Sequence, residues 1–261
     1  MGKVTVSGRS GGNVRCDLTD KDAAARLVEE TRPDIVFHCA AMTDVDACEN
    51  EPKAAFAANR DAVANLASRL PKGVRFVFFS TDQVYPDVAG PHVEGSEAPV
   101  NTYGSSKLAG ERAALAHPDA LVLRVNFFGP SRTARRRSLS DWVVENLVAK
   151  KPIRLFTDSY FSPLHLATAS AMALDCVRAG LRGVFNLGCR DGASKCDFAL
   201  AIARLFGLGT ESATPAPSSS VPGRAVRAKD LRMAVGKIEA MLGRPMPTLA
   251  EEIAKLRGAS A

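Results

Sequence analysis

Histidine is scarce, with four in 261 residues, and the six cysteines (Cys16, Cys39, Cys48, Cys176, Cys189, Cys196) form no Cys-x-x-Cys pair and no metal-ligand spacing with a histidine. That excludes a zinc ribbon or a disulfide framework as the organising principle, and free thiols in a cytosolic protein are expected instead. No apolar run reaches the ~20 residues of a membrane-spanning helix, and no basic-then-apolar leader is visible. Aromatic residues make up 6% of the chain and do not interleave with a basic face, so a nucleic-acid surface is not expected. The net charge of +6 suits a small anionic ligand but selects none. No internal repeat is present.

What the chain does have is alternation. Apolar runs at Ile35–Ala41, Val74–Phe79, Ala120–Val125 and Gly183–Leu187 read as buried strands, separated by helical periodicity over Lys21–Thr31, Pro52–Leu70 and Thr102–Ala116. Such alternation predicts parallel pairing in a doubly wound α/β sheet. Asp20 is placed to cap the first of these helices, with Ala25, Leu27 and Val28 expected on its inner face. Further elements are expected at Lys3–Ser7 and Asn13–Cys16 (strands), Asp141–Lys150 (helix), Ile153–Phe156 (strand), and Leu164–Ala179, Lys195–Phe206 and Leu249–Leu256 (helices). Residues 1–130 read as one α/β domain. Residues 131–261 read as a smaller α+β lobe that returns to the first sheet, with Gly209–Gly223 as a loop whose stretch Thr214–Pro222 is either a flap over the sugar site or a linker.

The chemistry concentrates in Asn101-Thr-Tyr103-Gly-Ser-Ser-Lys107. Tyr103 and Lys107 lie one helical turn apart and share a face. A phenol titrates near ~10, and a neighbouring ammonium favours its ionised form, which suits general acid–base work. Upstream, the apolar strand Phe76–Phe79 ends abruptly in Ser80-Thr81-Asp82, at the end of a parallel strand where open α/β sheets bind ligands. A hydroxyl at a strand tip followed by Tyr-x-x-x-Lys is a hydride-transfer constellation.

These motifs resemble the extended short-chain dehydrogenase/reductase superfamily and, within it, the dTDP-4-dehydrorhamnose reductase family. The likeness runs through Asp17-Leu-Thr-Asp20, Arg32–Ala41, Thr43–Pro52, Asn59, Ser80-Thr-Asp82, Tyr103–Glu111, Leu123-Arg124 and Phe128-Gly129, and thins afterwards to Arg227–Ile253. It extends to the regulatory β subunit of methionine adenosyltransferase. The resemblance implies a Rossmann-like fold and NADPH (or NADH) reduction of a nucleotide-linked 4-keto-6-deoxy sugar. Tyr103 would donate the proton, Lys107 would bind the nicotinamide ribose, and Thr81 would polarise the keto oxygen. It also implies a cofactor lined by Asp17, Leu18, Ala40, Ala41 and Asn59. The sugar nucleotide would be met by Met42, Asp82, Gln83, Asn126, Phe127 and Arg224. A cytoplasmic enzyme is expected, with a homodimer left open as its assembly.

Three departures from that pattern matter. Gln83 and Tyr85 stand where the family has Tyr and Phe, and Val125-Asn-Phe-Phe128 replaces a Thr-Ser-Trp run and approaches the pattern of nucleotide-sugar epimerases. The third concerns the start: Gly8-Arg-Ser-Gly-Gly12 lies four residues from Asp17, which leaves no room for a phosphate-binding helix after a glycine turn. Aligning Val4–Ser10 with a second strand and its exit turn puts Arg9 and Ser10 at a cofactor 2′-phosphate, or leaves Arg9 a solvated turn residue. Either Lys3–Ser7 then takes the central place in the sheet, or the given start is internal to a longer gene. An epimerase or dehydratase, and a catalytically silent binding subunit, are the rival functions.

Other candidates have plainer readings. His38 is expected to be a packed core histidine and Trp142 to pack in the core or between lobes. Asp44, Asp46, Glu49 and Glu51 are expected to cap helices rather than bind metal. The arginine run 132–137 is expected on a solvated face, with diphosphate binding as the alternative, and His165 is a lesser substrate candidate.

Overall fold

Four strands pair in parallel in the centre of the molecule: β1 (Ile35–His38), β2 (Arg75–Ser80), β3 (Ala120–Val125) and β4 (Gly183–Leu187), in the spatial order β4-β3-β2-β1. The computed structural model describes residues 3–131 and 137–259. Because side chains alternate along a strand, β2 and β3 feed two cores. Phe76, Phe78, Ala120 and Val122 face Val28, Val63, Leu66 and Ala114. Val77, Leu121, Leu123 and Val125 face the helices of the second half, including Met172, Phe198 and Ile202. β4 belongs to the second half of the chain and pairs in parallel with β3.

The helix Lys21–Thr31 forms as expected: Asp20 accepts from the amides of Asp22 at 2.9 Å and Ala23 at 3.1 Å. Its buried residues are Ala24 and Val28; Ala25 and Leu27 are only half-covered, one position off the predicted face. Pro52–Leu70 is helical through Pro52–Phe56, a π-turn at Ala57–Asp61, and Ala62–Ala67. Lys195–Phe206 begins and ends where the periodicity predicts, capped by Ser194.

Several expectations need correction. Residues 3–6 form no strand; the short strands Ser7–Gly8 and Val14–Arg15 pair only with each other, outside the central sheet. Lys3–Ser7 therefore does not take the central place, and β1 is an edge with Ile35 and Phe37 exposed. Leu164–His165 is a strand paired with Phe127–Phe128, and the helix starts at Leu166. The supposed flap contains the strand Ala213–Ala216, laid parallel on Ile153–Phe156. Long-range pairing overrides the local Pro and Ser signals there. Trp142 is 38% exposed rather than a core residue. Most of the arginine run (132–136) lies outside the described residues; Arg137 pairs with Glu145 at 2.9 Å, both well exposed. No helix among the described residues is long and apolar enough to cross a membrane.

Candidate active site

Tyr103 and Lys107 stand on the first two turns of the helix Thr102–Leu115, whose N-cap Asn101 accepts from the Gly104 amide at 2.8 Å. The helix is not amphipathic in the ordinary sense. Its buried stripe, Tyr103, Ser106, Lys107, Gly110, Glu111 and Ala114, follows helical spacing but is mostly polar. Two glycines allow its close approach. A Cβ at Gly104 would overlap the Gln83 carbonyl oxygen and stand 2.9 Å from Pro99 Cβ; one at Gly110 would overlap the Asn59 carbonyl oxygen.

Lys107 is 2% exposed, donates from Nζ to the Phe79 carbonyl at 2.7 Å, and lies 4.0 Å from the Phe78 ring centroid. Burial pushes its ammonium down to about 8, with the charges of Glu111 and Cys39 pulling the other way. Tyr103 packs with Met42, Val45, Cys48 and Ala55. At the tip of β2, Thr81 accepts from the Gln83 amide at 3.2 Å and directs its own hydroxyl to Asp82 at 3.1 Å. The second Asp82 oxygen accepts from Asn126 Nδ2 at 2.7 Å. Asp82 is 1% exposed, and burial raises its carboxyl pKa against the hydrogen bonds of Asn126 and Thr81 and the charge of Lys195.

Other predicted residues fall into two sets. Asn59, fully buried in the π-turn, clasps both backbone groups of Met42 (2.8 and 2.9 Å) and donates to Ser106 Oγ at 2.9 Å, so it supports the chain after β1. Ala40 and Ala41 follow β1 with little side chain to cover it. Gln83 accepts from Asn101, which also donates to the Val226 carbonyl and so ties the segment bearing Arg224 to the helix carrying Tyr103. Arg224 lies over the Phe156 ring at 5.2 Å. In contrast, Arg9 and Ser10 sit in an exposed turn, where the Arg9 charge reaches Asp17. Asp17 spends its carboxylate on Thr19, and Leu18 packs inward with its carbonyl held by Asn65. Phe127 is 55% exposed and outside this network. His165 is buried as the cap of the helix Leu166–Arg178, against Phe128. Of the acidic residues, Asp44 caps a helix, Asp46 pairs with Arg227 at 2.8 Å, and Glu49 accepts from the Thr102 amide.

Beneath the site lies a network with little sequence signal. Arg124, 1% exposed, forms a fork with Glu111 (2.9 and 2.6 Å), donates to Tyr85 Oη at 2.9 Å and contacts Glu97. Glu111 also accepts from Ser80 Oγ at 2.5 Å, and Tyr85 donates to Asn186 at 2.6 Å. Burial opposes the Arg124 charge, but the Glu111 and Tyr85 interactions outweigh it and raise the guanidinium pKa above its ordinary value. This network joins β2, β3, β4 and the helix Thr102–Leu115 through charge-assisted bonds. The other unforeseen residue is Lys195, within electrostatic reach of Asp82, Arg224 and Arg227.

A doubly wound parallel sheet, a Ser-Thr strand tip and a buried lysine one turn after a tyrosine define a Rossmann-like protein of the extended short-chain dehydrogenase/reductase class. The chain belongs to the RmlD substrate binding domain family, whose model matches residues 3–259. It is 32% identical over 249 residues to a probable low-salt glycan biosynthesis reductase of Haloferax volcanii, covering 93% of this chain and 83% of that one. It is 30% identical over 257 residues to the dTDP-4-dehydrorhamnose reductase of Sinorhizobium fredii, covering 94% and 86%. Among solved structures, the dTDP-4-dehydrorhamnose reductase of Bacillus anthracis in complex with NADP superposes with a TM-score of 0.85 at 24% identity, covering 93% and 86%.

Proposed function

We propose that this chain is an NADPH-dependent reductase of a nucleotide-linked 4-keto-6-deoxy sugar, with residues 1–130 holding the cofactor and residues 131–261 mainly the substrate. The observation that carries this reading is the buried Lys107, anchored on the Phe79 carbonyl at the end of β2, one turn from Tyr103 and beside the Thr81 tip. Among the described residues no carboxylate accepts from the Lys107 ammonium, and a lysine buried in this way is costly for the fold alone, which favours a functional reason for it. The relatives named as reductases support the substrate class.

The residues present fit the catalytic half of a dinucleotide. Ala40 and Ala41 leave the backbone after β1 open to close approach, and the Lys107 ammonium suits ribose hydroxyls. The adenosine end falls to Asp17, Leu18, Arg9 and Ser10. The glycine-bearing turn Gly8–Gly12 runs directly into Val14–Arg15 with no helix between, so amides of a helix N-terminus are not supplied there. When bound, the cofactor supplies the hydride. Tyr103 supplies the proton to the incipient alkoxide, and Lys107 favours the resulting phenolate electrostatically. Thr81 rotates its hydroxyl from Asp82 to the keto oxygen, while Asp82 stays held by Asn126. Buried Asn59 and the Arg124–Glu111 fork keep the strand ends and the helix in register. A cytoplasmic location and a homodimer belong to the same reading.

The test is Tyr103→Phe. Loss of NADPH oxidation with an unchanged melting profile and unchanged NADPH heat in calorimetry is expected; wild-type turnover in this variant defeats the proposal. The turn lacking a helix favours a second reading, a catalytically silent binding subunit. No heat with millimolar NADPH on the wild-type protein would select it. Turnover without added reductant, on tightly held NAD⁺, would select an epimerase or dehydratase.

A further inference from the structure

Glu111 follows Lys107 by one helical turn, as Lys107 follows Tyr103, so the three share a face of the helix Thr102–Leu115. Glu111 and Lys107 are each 2% exposed. Their side chains grip consecutive residues of β2: Lys107 Nζ donates to the Phe79 carbonyl at 2.7 Å, and Glu111 Oε1 accepts from Ser80 Oγ at 2.5 Å. Thr81 comes next in the chain. One grip would let the strand tip pivot against the helix. Two grips, adjacent on the strand and one turn apart on the helix, fix its height and its tilt together.

The same residue carries charge. Arg124 forks onto both Glu111 oxygens but also contacts Glu97. One guanidinium shared by two carboxylates leaves this dry network with a surplus negative charge, one helical turn from the Lys107 ammonium. The other groups around Lys107 do not supply one. On the β1 side, His38 is neutral above about pH 3, and burial raises the Cys39 thiol above its ordinary value. The Phe78 ring offers only its face. Beyond Thr81, Asp82 is engaged by Thr81 and Asn126. On the β3 side, Arg124 is the cation already bound to Glu111.

We infer that Glu111 is a positioning residue for Lys107 and Thr81: it holds Ser80 while Lys107 holds Phe79, and its carboxylate is the counter-charge of the Lys107 ammonium across one helical turn. The use made of Lys107 and Thr81 rests on the reductase reading; the counter-charge belongs to the chain with or without turnover. The experiment is a carbon NMR pH titration of the full chain isotopically labelled at lysine Cε, for wild type, Glu111→Gln and Ser80→Ala. The Lys107 resonance is identified by its loss in Lys107→Arg, and NADPH-oxidation kinetics are followed across pH on each protein.

The wild-type resonance is expected to titrate near pH 8. Glu111→Gln keeps an acceptor for Ser80 but not the charge, and should lower that midpoint by about one pH unit, with the alkaline limb of kcat/KM following it. Ser80→Ala keeps every charge but releases the grip: the midpoint should stay in place while kcat falls by about tenfold at unchanged KM for NADPH. An unmoved midpoint in Glu111→Gln overturns the counter-charge, and wild-type kcat in Ser80→Ala overturns the grip. Should Glu111→Gln fail to fold, Arg124→Gln reads the same coupling with the opposite sign, because an unshared Glu111 charge raises the midpoint; one that stays or falls there overturns the inference. A wild-type chain without turnover whose Lys107 midpoint still responds to Glu111→Gln removes the reductase reading and the role in turnover, and leaves the counter-charge standing.

Discussion

Replacing Gly104 by alanine adds one methyl group to the helix carrying Tyr103 where the structure has no room for it. The new Cβ would overlap the Gln83 carbonyl oxygen and lie 2.9 Å from Pro99 Cβ and 3.0 Å from the Gln83 carbonyl carbon. Ordinary van der Waals contact begins near 3.4 Å, and backbone cannot swing aside as a long side chain can. Overpacking of this kind costs about 3–4 kcal/mol at its upper end, offset by the ~1 kcal/mol by which alanine outperforms glycine in a helix. The net is about 2–3 kcal/mol of destabilisation, or about 5–10 °C in melting temperature for a chain of this size.

The same clash acts on function. Relief requires the helix to move off the loop Asp82–Val84, carrying Tyr103 away from Thr81, and a displacement of ~1 Å costs turnover on the order of 10²-fold. The assay is urea denaturation with parallel NADPH-oxidation kinetics. Gly236→Ala serves as a control: Gly236 starts the helix Gly236–Leu242 with negative φ and no neighbour within 4 Å, so alanine there should stabilise by about 0.5–1 kcal/mol. A Gly104→Ala protein within about 0.5 kcal/mol of wild type and fully active would refute the close-approach argument.

His38 is buried between the Phe76 and Phe78 rings, and burial first, then the Lys107 charge, pushes its imidazole down to about 3 from 6.5. The unfolded chain therefore binds a proton below pH 6.5 that the folded chain refuses. Stability should be intact above about pH 6.5 and fall by ~4 kcal/mol between pH 6.5 and 3.5. His38→Gln should flatten that acid limb in urea melts at pH 7 and 4, and parallel limbs for the two proteins would contradict it. For Lys107, held near 8 instead of 10.5, the ammonium is lost as pH rises through 8, so kcat/KM should decline above that value. Lys107→Arg, with a cation that persists, should move the decline out of range even at lower turnover; an unmoved alkaline limb would assign it to another group.

Local signals carried much of this far. Asp20 followed by apolar residues at helical spacing marked Lys21–Thr31, and Phe198, Ile202 and Leu205 at that spacing marked Lys195–Phe206, because capping and periodicity act within a few residues. The near-continuous apolar run Phe76–Phe79 announced a strand buried on both faces. His38 was legible as a core residue for the same reason. Burial imposed from afar left no local sign: nothing near Glu111 or Arg124 in the chain foretells that one, on the helix, and the other, on β3, form a dry fork. The prolines and serines near 214–222 suggested a loop, yet Ala213–Ala216 is a strand because Ile153–Phe156 offers an edge sixty residues away.

The alternation of strands and helices, the tyrosine and lysine one turn apart, and the hydroxyl at the strand tip were legible in the chain, since each depends on neighbours within a few positions. Long-range packing was needed to make Lys107 dry, to share Asp82 between Thr81 and Asn126, to bring the Lys195 charge within reach of Asp82, and to leave β1 at the sheet's edge. Those outcomes depend on which groups lose water together when distant segments pack, and no short window of the chain encodes that desolvation.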